Sequence, residues 1–176
     1  MKIKKECKIE LVASKDSTRL ALNNPYLQGS NLIATDGHRL VAIPVELEEG
    51  DSDGPIDCSA FKLARKTSSS EKFSKINANG SLKVQTKDGE IIMQRSFKDI
   101  NFPAWQKVLP NSDRGGIKIA FNAEYLYEMA EALGTKTVTL EILDSNSPII
   151  VKGSNENYIE GSVGVLMPVK IKKVTI

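Results

Sequence analysis

A β-hairpin is predicted by the stretch Asn31-Leu-Ile-Ala-Thr-Asp-Gly-His-Arg-Leu-Val-Ala-Ile-Pro44. Asp36-Gly37 supplies residues that tolerate positive φ in a tight turn, and the segments on both sides are rich in apolar residues that can pair as strands. Two other unusual strings follow it, Phe102-Pro-Ala-Trp-Gln-Lys-Val-Leu-Pro110 and Val163-Gly-Val-Leu-Met-Pro-Val-Lys-Ile171. These three segments carry most of the information about fold and function.

Composition indicates a globular protein without a strong charge bias. The chain has 176 residues, 40% of them hydrophobic, and its 24 basic and 22 acidic side chains give a net charge of +2. This balance excludes the strongly cationic surface of a general nucleic-acid coat, although it permits a local basic patch. The N-terminus lacks a signal-peptide core and no run approaches about 18 apolar residues, so we expect a cytoplasmic protein.

Motifs of catalysis and metal binding are missing from the sequence. It contains one histidine, no GxSxG, HExxH or Walker loop, and no carboxylates clustered at acid/base spacing. Cys7 and Cys58 lie far apart without a CxxC pattern, which is typical of buried free thiols in a reducing cytosol. We therefore expect neither an enzyme nor a bound cofactor or metal.

The first half of the chain has the pattern of strands around one helix. Alternation from Ile3 to Ala13 predicts a half-buried strand, in which Lys5 is the one flaw. Ser59 is predicted to cap a helix that ends near Thr67. Further extended segments are expected at 19–22, 26–28, 73–78, 82–86 and 90–95, the last three separated by the hairpin signals Asn79-Gly80 and Asp88-Gly89.

A similar order of elements recurs nearer the C-terminus. Asn122 is predicted to cap a helix that runs through Leu133 and stops at Gly134. Strands are expected at 117–121, 137–143, 149–153 and 158–170. Between the two halves, prolines and a Gly-Gly pair indicate a connector, so we divide the chain into residues 1–101, a connector over 102–116, and residues 117–176.

Together, the hairpin and the two later strings resemble the bacterial sliding clamp, the β subunit of DNA polymerase III, in the same order along the chain. The resemblance implies an α+β, DNA-clamp-like fold of repeated β-α-β-β-β units with antiparallel sheets and two helices. Residues from about 25 to 110 look like the middle domain of a clamp subunit, and residues from about 117 to 171 look like the second half of its final domain. The chain is thus similar to a shortened clamp subunit.

In that family, a groove between the middle and final domains binds a short linear motif, a glutamine followed by leucine or aromatic residues. Polymerases, the clamp loader and repair proteins present this motif. Carried over position by position, the resemblance implies a peptide-binding set in this chain: Leu27, Thr35, Gly37, His38, Arg39, Leu40, Pro103, Val108, Val165, Met167, Pro168, Val169, Lys170 and Ile171. At the last three positions the family usually has Met, Arg and Leu.

These residue types suit a peptide site. Leu27, Leu40, Val108, Val165 and Met167 could line an apolar pocket, and methionine adapts its shape to varied partners. Polar groups of Gly37, His38, Arg39 and Lys170 could fix the register by hydrogen bonds or by pairing with a carboxylate. The sole tryptophan, Trp105, is interpreted as a packing residue of the connector.

Whether the protein touches DNA is left open by the sequence. Lys62, Arg65 and Lys66 share one helix face and would face the phosphates of double-stranded DNA in a clamp, yet a solvated face explains them equally well. The second helix carries Glu124, Glu128 and Glu131, which would repel DNA. Two interpretations follow: an oligomeric processivity factor that encircles DNA, or a monomeric peptide-binding adaptor or decoy that regulates host replication proteins.

Overall fold

The structure is a computed structural model, and it describes residues 1–66, 73–95, 100–110, 116–154 and 161–170. The chain forms two compact units, Met1–Leu109 and Pro110–Ile176. Both combine antiparallel strands with one α-helix each among the described residues. The chain is therefore α+β with antiparallel sheets and two α-helices, as predicted.

The first unit contains two four-stranded antiparallel sheets and helix α1, Cys58–Ala64. One sheet has the order β4-β3-β2-β5 and the other has the order β1-β6-β7-β8. The strands are β1 Lys2–Lys4, β2 Tyr26–Gln28, β3 Asn31–Thr35, β4 Leu40–Pro44, β5 Gly54–Pro55, β6 Phe73–Asn79, β7 Ser81–Thr86 and β8 Gly89–Gln94.

Helix α1 packs on β6 and β7 and closes the core of the first unit. Its buried residues Ala60, Phe61 and Ala64 lie at the i, i+1 and i+4 spacing of a single helix face. They meet inward-facing side chains such as Ile76, Leu82 and Val84, which alternate along the two strands. Burial of this apolar surface, at about 25 cal/mol per Å², is the main term that stabilises the unit.

The second unit is a smaller layer of one helix on one sheet. Helix α2 spans Ala123–Ala132, and the sheet has the order β11-β10-β9, with β9 Val138–Glu141, β10 Ile149–Gly153 and β11 Gly164–Leu166. Asn122 caps α2 by accepting a hydrogen bond from the Glu124 amide at 2.9 Å, as predicted. Leu126 and Met129 of α2 pack on the core formed by Leu133, Ile149, Val151 and Leu166.

Three predicted hairpins of the first unit are confirmed. Strands β3 and β4 pair from Asn31 with Pro44 to Thr35 with Leu40, and Gly37 in the connection has φ +92°. Gly80, between β6 and β7, and Gly89, the first residue of β8, also have positive φ, +65° and +129°. A glycine at such a position costs no steric strain, which explains why these local signals were reliable.

Several predicted boundaries are wrong, and the first strand is the clearest case. It ends at Lys4, Lys5 lies in a turn, and a 3₁₀ helix, Ile9–Leu11, follows. Ile9 is buried there without belonging to a strand. The alternating apolar residues of this segment thus belong to a short strand, a turn and a 3₁₀ helix, and not to one long strand. The segment 19–22, predicted as extended, likewise contains a 3₁₀ helix, Leu20–Leu22.

Helix α1 and the segment before α2 also differ from prediction. Asp57, not Ser59, caps α1, because its carboxylate accepts a hydrogen bond from the Ser59 amide at 2.7 Å. The helix ends at Ala64, whereas Thr67 lies outside the described residues. The segment 117–121 is not a strand; one backbone bond, from Val169 N to Ala120 O at 2.8 Å, joins it to the tail.

The strand predicted for 158–170 is shorter than expected. Its described part is β11, Gly164–Leu166, and residues 155–160 lie outside the described structure. Among the helices that the structure describes, none is both long enough and apolar enough to pass through a membrane.

Candidate functional site

The tip of the β3–β4 hairpin is held by the hydroxyl of Thr35. This oxygen donates a hydrogen bond to the Arg39 carbonyl at 2.7 Å and accepts one from the Gly37 amide at 3.1 Å. Thr35 is buried at the end of β3, so the two bonds are protected from water. The four-residue connection from Asp36 to Arg39 is thereby given one defined shape.

Asp36 completes this polar network from within the connection. Its carboxylate accepts hydrogen bonds from the amides of His38 and Arg39, both at 3.0 Å, and from Arg39 Nε at 3.0 Å. The bond from the His38 amide is the main cause that lowers the pKa of Asp36 below its ordinary value, and the bonds from Arg39 add to it. The Asp36 carboxylate therefore caps the connection and holds the His38 and Arg39 amides directed toward itself.

Two arginines attach the tip to the rest of the first unit. Arg39 Nη2 donates to the Leu11 carbonyl at 3.0 Å, and Arg19 Nη1 donates to the Asp36 carbonyl at 3.2 Å. A β-carbon built on Gly37 would lie 2.7 Å from Arg19 Nη1. Glycine at position 37 is thus favoured by its positive φ, and a side chain there would also make the exposed end of Arg19 shift.

A cavity of about 400 Å³ opens beside this tip, within the first unit. Seven of the residues that the resemblance implies line it: Thr35, Gly37, His38, Arg39, Leu40, Pro103 and Val108. Three more lining residues were not predicted: Leu22, Phe102 and Trp105. The hairpin supplies a polar side and the segment 102–108 supplies an apolar side, which is the usual composition of a ligand pocket.

The 102–108 segment is fixed to the first unit by two aromatic side chains. Phe102 is buried and stacks on Tyr26, with ring centroids 4.8 Å apart and planes inclined by 19°. Trp105 Nε1 donates a hydrogen bond to Gln28 Oε1 at 3.1 Å. Trp105 is half-buried, is held by this bond and forms part of the cavity wall.

Leu27 does not line this cavity. Its side chain is 1% exposed and belongs to the core of the first unit, because alternation along β2 turns it inward between Tyr26 and Gln28. The structure thus separates Leu27 from the other hairpin-side residues of the predicted set.

A second cavity, of about 610 Å³, lies within the second unit between α2 and the C-terminal residues 165–169. Four predicted residues line it: Val165, Met167, Pro168 and Val169. Their apolar side chains are unusually open, since Val165, Met167 and Val169 are all more than half exposed. Exposed apolar side chains grouped around a concave surface are typical of a binding site.

Helix α2 forms the other wall of the second cavity. Tyr125, Glu128, Met129 and Ala132 lie on one helix face at spacings of three, four and seven residues, and each lines the cavity with Leu166. None of them was predicted, although that spacing was a signal available in the sequence. Lys170 is exposed beside the cavity's last lining residue, and Ile171 lies outside the described residues.

The basic face of α1 is only partly free. Arg65 makes a bidentate ion pair with Glu10, in which Nη1 lies 3.1 Å from Oε2 and Nη2 contacts Oε1, and it also donates to the Cys7 carbonyl. Lys62 and Lys66 are exposed. Two of the three predicted DNA-facing side chains are therefore accessible. The third, Arg65, joins the end of α1 to the N-terminal segment 7–10.

Both cysteines are free thiols, but they are half-buried and not buried as predicted. Burial raises the pKa of Cys58 to about 11 and also raises the pKa of Cys7. Thiols with raised pKa values are poor nucleophiles at neutral pH. Over the ranges that the structure describes, no group of three or more His, Cys, Asp or Glu side chains is placed to hold a metal ion.

The sheets and helices have the arrangement of a DNA-clamp fold, and comparison with known proteins identifies the family. A family model described as the C-terminal domain of the DNA polymerase III beta subunit matches residues 58–170, well over half of the chain. The chain therefore belongs to the DNA polymerase III beta subunit, or sliding clamp, family. No match was found among curated proteins.

Solved structures of bacterial clamps share the fold. The beta subunit of Streptococcus pyogenes is 15% identical with a TM-score of 0.67, over 97% of this chain and 50% of that one. The beta subunit of Borrelia burgdorferi, solved with a natural product, is 17% identical with a TM-score of 0.62, over 97% of this chain and 48% of that one.

A third similar structure, the beta subunit of Thermotoga maritima, is 18% identical over 98% of this chain and 65% of that one, with a TM-score of 0.46. The chain thus spans between about half and two thirds of the length of these clamp subunits.

Proposed function

We propose that this chain is a non-catalytic, sliding-clamp-like protein of DNA replication in the cytoplasm. In this proposal it binds the short linear motifs of polymerases, the clamp loader and repair proteins. The observation that carries the proposal is the first cavity, around which seven residues from two separate strings, 35–40 and 103–108, come together. These strings are 63 positions or more apart, so their grouping depends on the fold.

The first cavity offers a peptide both polar and apolar contacts. The backbone of the hairpin tip is held in one shape by Asp36 and Thr35, so presenting the His38 side chain to a peptide requires little reorganisation. Leu22, Leu40, Pro103 and Val108 provide apolar surface for a leucine or aromatic side chain. A glutamine side chain has the donors and acceptors to bond the polar side.

The second cavity offers an apolar surface with one acidic group at its border. Met129, Val165 and Met167 supply flexible and branched apolar contacts, and Tyr125 adds a large ring. We propose that this surface also binds motif peptides, because Val165, Met167, Pro168 and Val169 belong to the set implied by the resemblance.

Binding of a labelled Gln-Leu-Ser-Leu-Phe peptide, followed by fluorescence anisotropy, tests this function. We expect a dissociation constant in the micromolar range, about 8 kcal/mol of binding free energy. His38→Ala in the first unit and Val165→Ala in the second should each weaken binding about tenfold, roughly 1.4 kcal/mol, by removing contacts. Trp105, the sole tryptophan and a wall of the first cavity, provides an intrinsic fluorescence signal for the same titration.

Val163→Ala is the matched control for Val165→Ala. Both valines are 59% exposed near β11, but only Val165 lines the cavity. Val163→Ala should leave the affinity unchanged. Wild-type protein that binds no peptide, or equal losses in both valine variants, would contradict the proposal.

Two oligomeric states are candidates for the active protein, a DNA-encircling oligomer and a monomer. An oligomer that encircles DNA requires basic surface, which Lys62 and Lys66 supply in part. A monomeric adaptor or decoy that occupies clamp-binding motifs is favoured by the engagement of Arg65 with Glu10 and by the exposed carboxylates Glu124, Glu128 and Glu131 on α2.

Size-exclusion chromatography with light scattering separates these candidates. A ring former should show a mass that is a multiple of 19.3 kDa at high protein concentration. An adaptor should stay at 19.3 kDa and still bind the peptide. A monomer at every concentration would rule out the ring, and a stable oligomer would rule out the monomeric adaptor.

A further inference from the structure

Gly164, the first residue of β11, is in unusually close contact with helix α2. Its partner across the sheet is Val151 of β10, and the two atoms of Val151 nearest to it would make ordinary contacts of 3.5 Å with a β-carbon at position 164. The terminal methyl group of Met129, however, would overlap that β-carbon. The methyl group therefore occupies the space that any other residue would use for its side chain.

Met129 also lines the second cavity, so its position sets the size of that cavity. On its inner side lie the core residues Leu133, Ile149, Val151 and Leu166, all at most 8% exposed. A packed core of this kind has no room for an additional methyl group. If the methyl group were pushed away from position 164, the open space available to it would be the cavity.

We propose that Gly164 is a specificity-determining residue of the peptide site. By leaving room for Met129, it keeps the second cavity deep enough for a bulky apolar side chain of the peptide, such as phenylalanine. This inference rests on the proposed peptide-binding function and names the side-chain class that the second cavity selects. Gly164 touches no peptide itself; it acts through the position of Met129.

Gly164→Ala tests the inference when two peptides are compared, Gln-Leu-Ser-Leu-Phe and Gln-Leu-Ser-Leu-Ala. The variant should bind the phenylalanine peptide about tenfold more weakly and the alanine peptide within about twofold of wild type, because only the large side chain needs the full cavity. On a Met129→Ala background, Gly164→Ala should cost no further affinity for the phenylalanine peptide, since the displaced side chain is gone.

Gly116→Ala is the matched control in the same unit. It is the same substitution at a glycine without positive φ, and a β-carbon there meets no atom of the described residues within 4 Å. It should change neither affinity. If Gly164→Ala does not fold, Met129→Ala alone serves instead: by enlarging the cavity it should raise the affinity for a tryptophan-ended peptide relative to the phenylalanine peptide about threefold.

The outcomes distinguish this inference from the proposed function. Wild-type protein that fails to bind either peptide overturns both. Wild-type binding with equal losses for the two peptides in Gly164→Ala, no loss at all, or the same loss on the Met129→Ala background overturns the role of Gly164 alone. If Met129→Ala leaves the ratio of the affinities for the tryptophan-ended and phenylalanine peptides unchanged, the role of Gly164 is also overturned.

A measurement without peptide checks the contact itself. In protein labelled with ¹³C-methyl methionine, Gly164→Ala should shift the methyl resonance of Met129 and leave those of Met1 and Met93 in the first unit unchanged. An unmoved Met129 resonance would overturn the inference whatever the peptide affinities are.

Discussion

The two cavities are built on opposite principles. In the first unit the cavity wall is a hairpin tip whose shape is set by hydrogen bonds from Thr35, Asp36 and Arg39. In the second unit the wall is a helix face and a short strand, and its apolar side chains include Met129 and Met167. Hydrogen bonds set the shape of the first wall, and mainly apolar side chains form the second.

Under the proposed function, this difference predicts different roles for the two cavities. A hairpin tip of fixed shape suits the part of a motif that does not vary, because it holds its exposed side chains in one arrangement. Methionine-lined surfaces repack around different apolar side chains at little cost. We therefore expect substitutions at the hairpin tip to reduce binding through geometry, and substitutions in the second unit to change which side chain is preferred.

Among the variants that test the difference between the two cavities, Thr35→Val is expected to cause the largest loss of stability and peptide affinity. The substitution keeps the volume but removes a hydroxyl that makes two hydrogen bonds, which should lower the free energy of unfolding by about 1–2 kcal/mol. Since the tip is no longer fixed, the affinity for Gln-Leu-Ser-Leu-Phe should also fall about tenfold. Urea unfolding and peptide anisotropy measure the two quantities on the same sample.

Thr86→Val is an internal control for this prediction. Thr86 is as buried as Thr35, at 8% exposure, and makes the same pair of bonds in the β7–β8 hairpin: its hydroxyl donates to the Gly89 carbonyl at 2.9 Å and accepts from the Asp88 amide at 3.3 Å. It borders neither proposed cavity. Thr86→Val should cost similar stability and no affinity. Equal affinity losses in both variants would show that stability, and not tip geometry, limits binding.

Local signals in the sequence predicted the hairpins and helix α2 correctly because their causes are local. An Asp-Gly or Asn-Gly pair specifies its own turn, and Asn122 and Gly134 act on the backbone next to them. The first strand was misjudged for the opposite reason. Its partner β6 begins at Phe73, and an alternating pattern does not distinguish a long strand from a strand followed by a 3₁₀ turn that buries Ile9.

The candidate site shows the same division. The resemblance pointed to the hairpin, the 102–110 string and the tail, and the structure places residues of the first two around one cavity. It could not indicate that Leu27 turns inward, which depends on the register of β2, or that Met129 reaches Gly164. Trp105 was predicted to pack, but its bond to Gln28, 77 residues away, is a product of the tertiary fold.

The smallest effect is expected from acid titration of Asp36. Its pKa is lowered chiefly by the hydrogen bond from the His38 amide, so the charged form is favoured in the folded protein. The stabilising contribution of this carboxylate is then present above the ordinary pKa of 3.8 and is lost as the pH falls through the lower folded-state value. Peptide affinity should thus be constant from pH 7 to about 4 and decline about threefold below that.

Two aspartates make this test specific. Asp36→Asn keeps an oxygen that can accept from the amides, so it should bind nearly as well at neutral pH and lose the acid-dependent decline. Asp144 has a pKa lowered by a comparable set of bonds, first from the Ser147 hydroxyl, in a loop that lines neither cavity. Asp144→Asn should therefore keep the wild-type profile. An amidated peptide without carboxylates ensures that the titrating group belongs to the protein, and a decline that persists in Asp36→Asn would assign it to another residue.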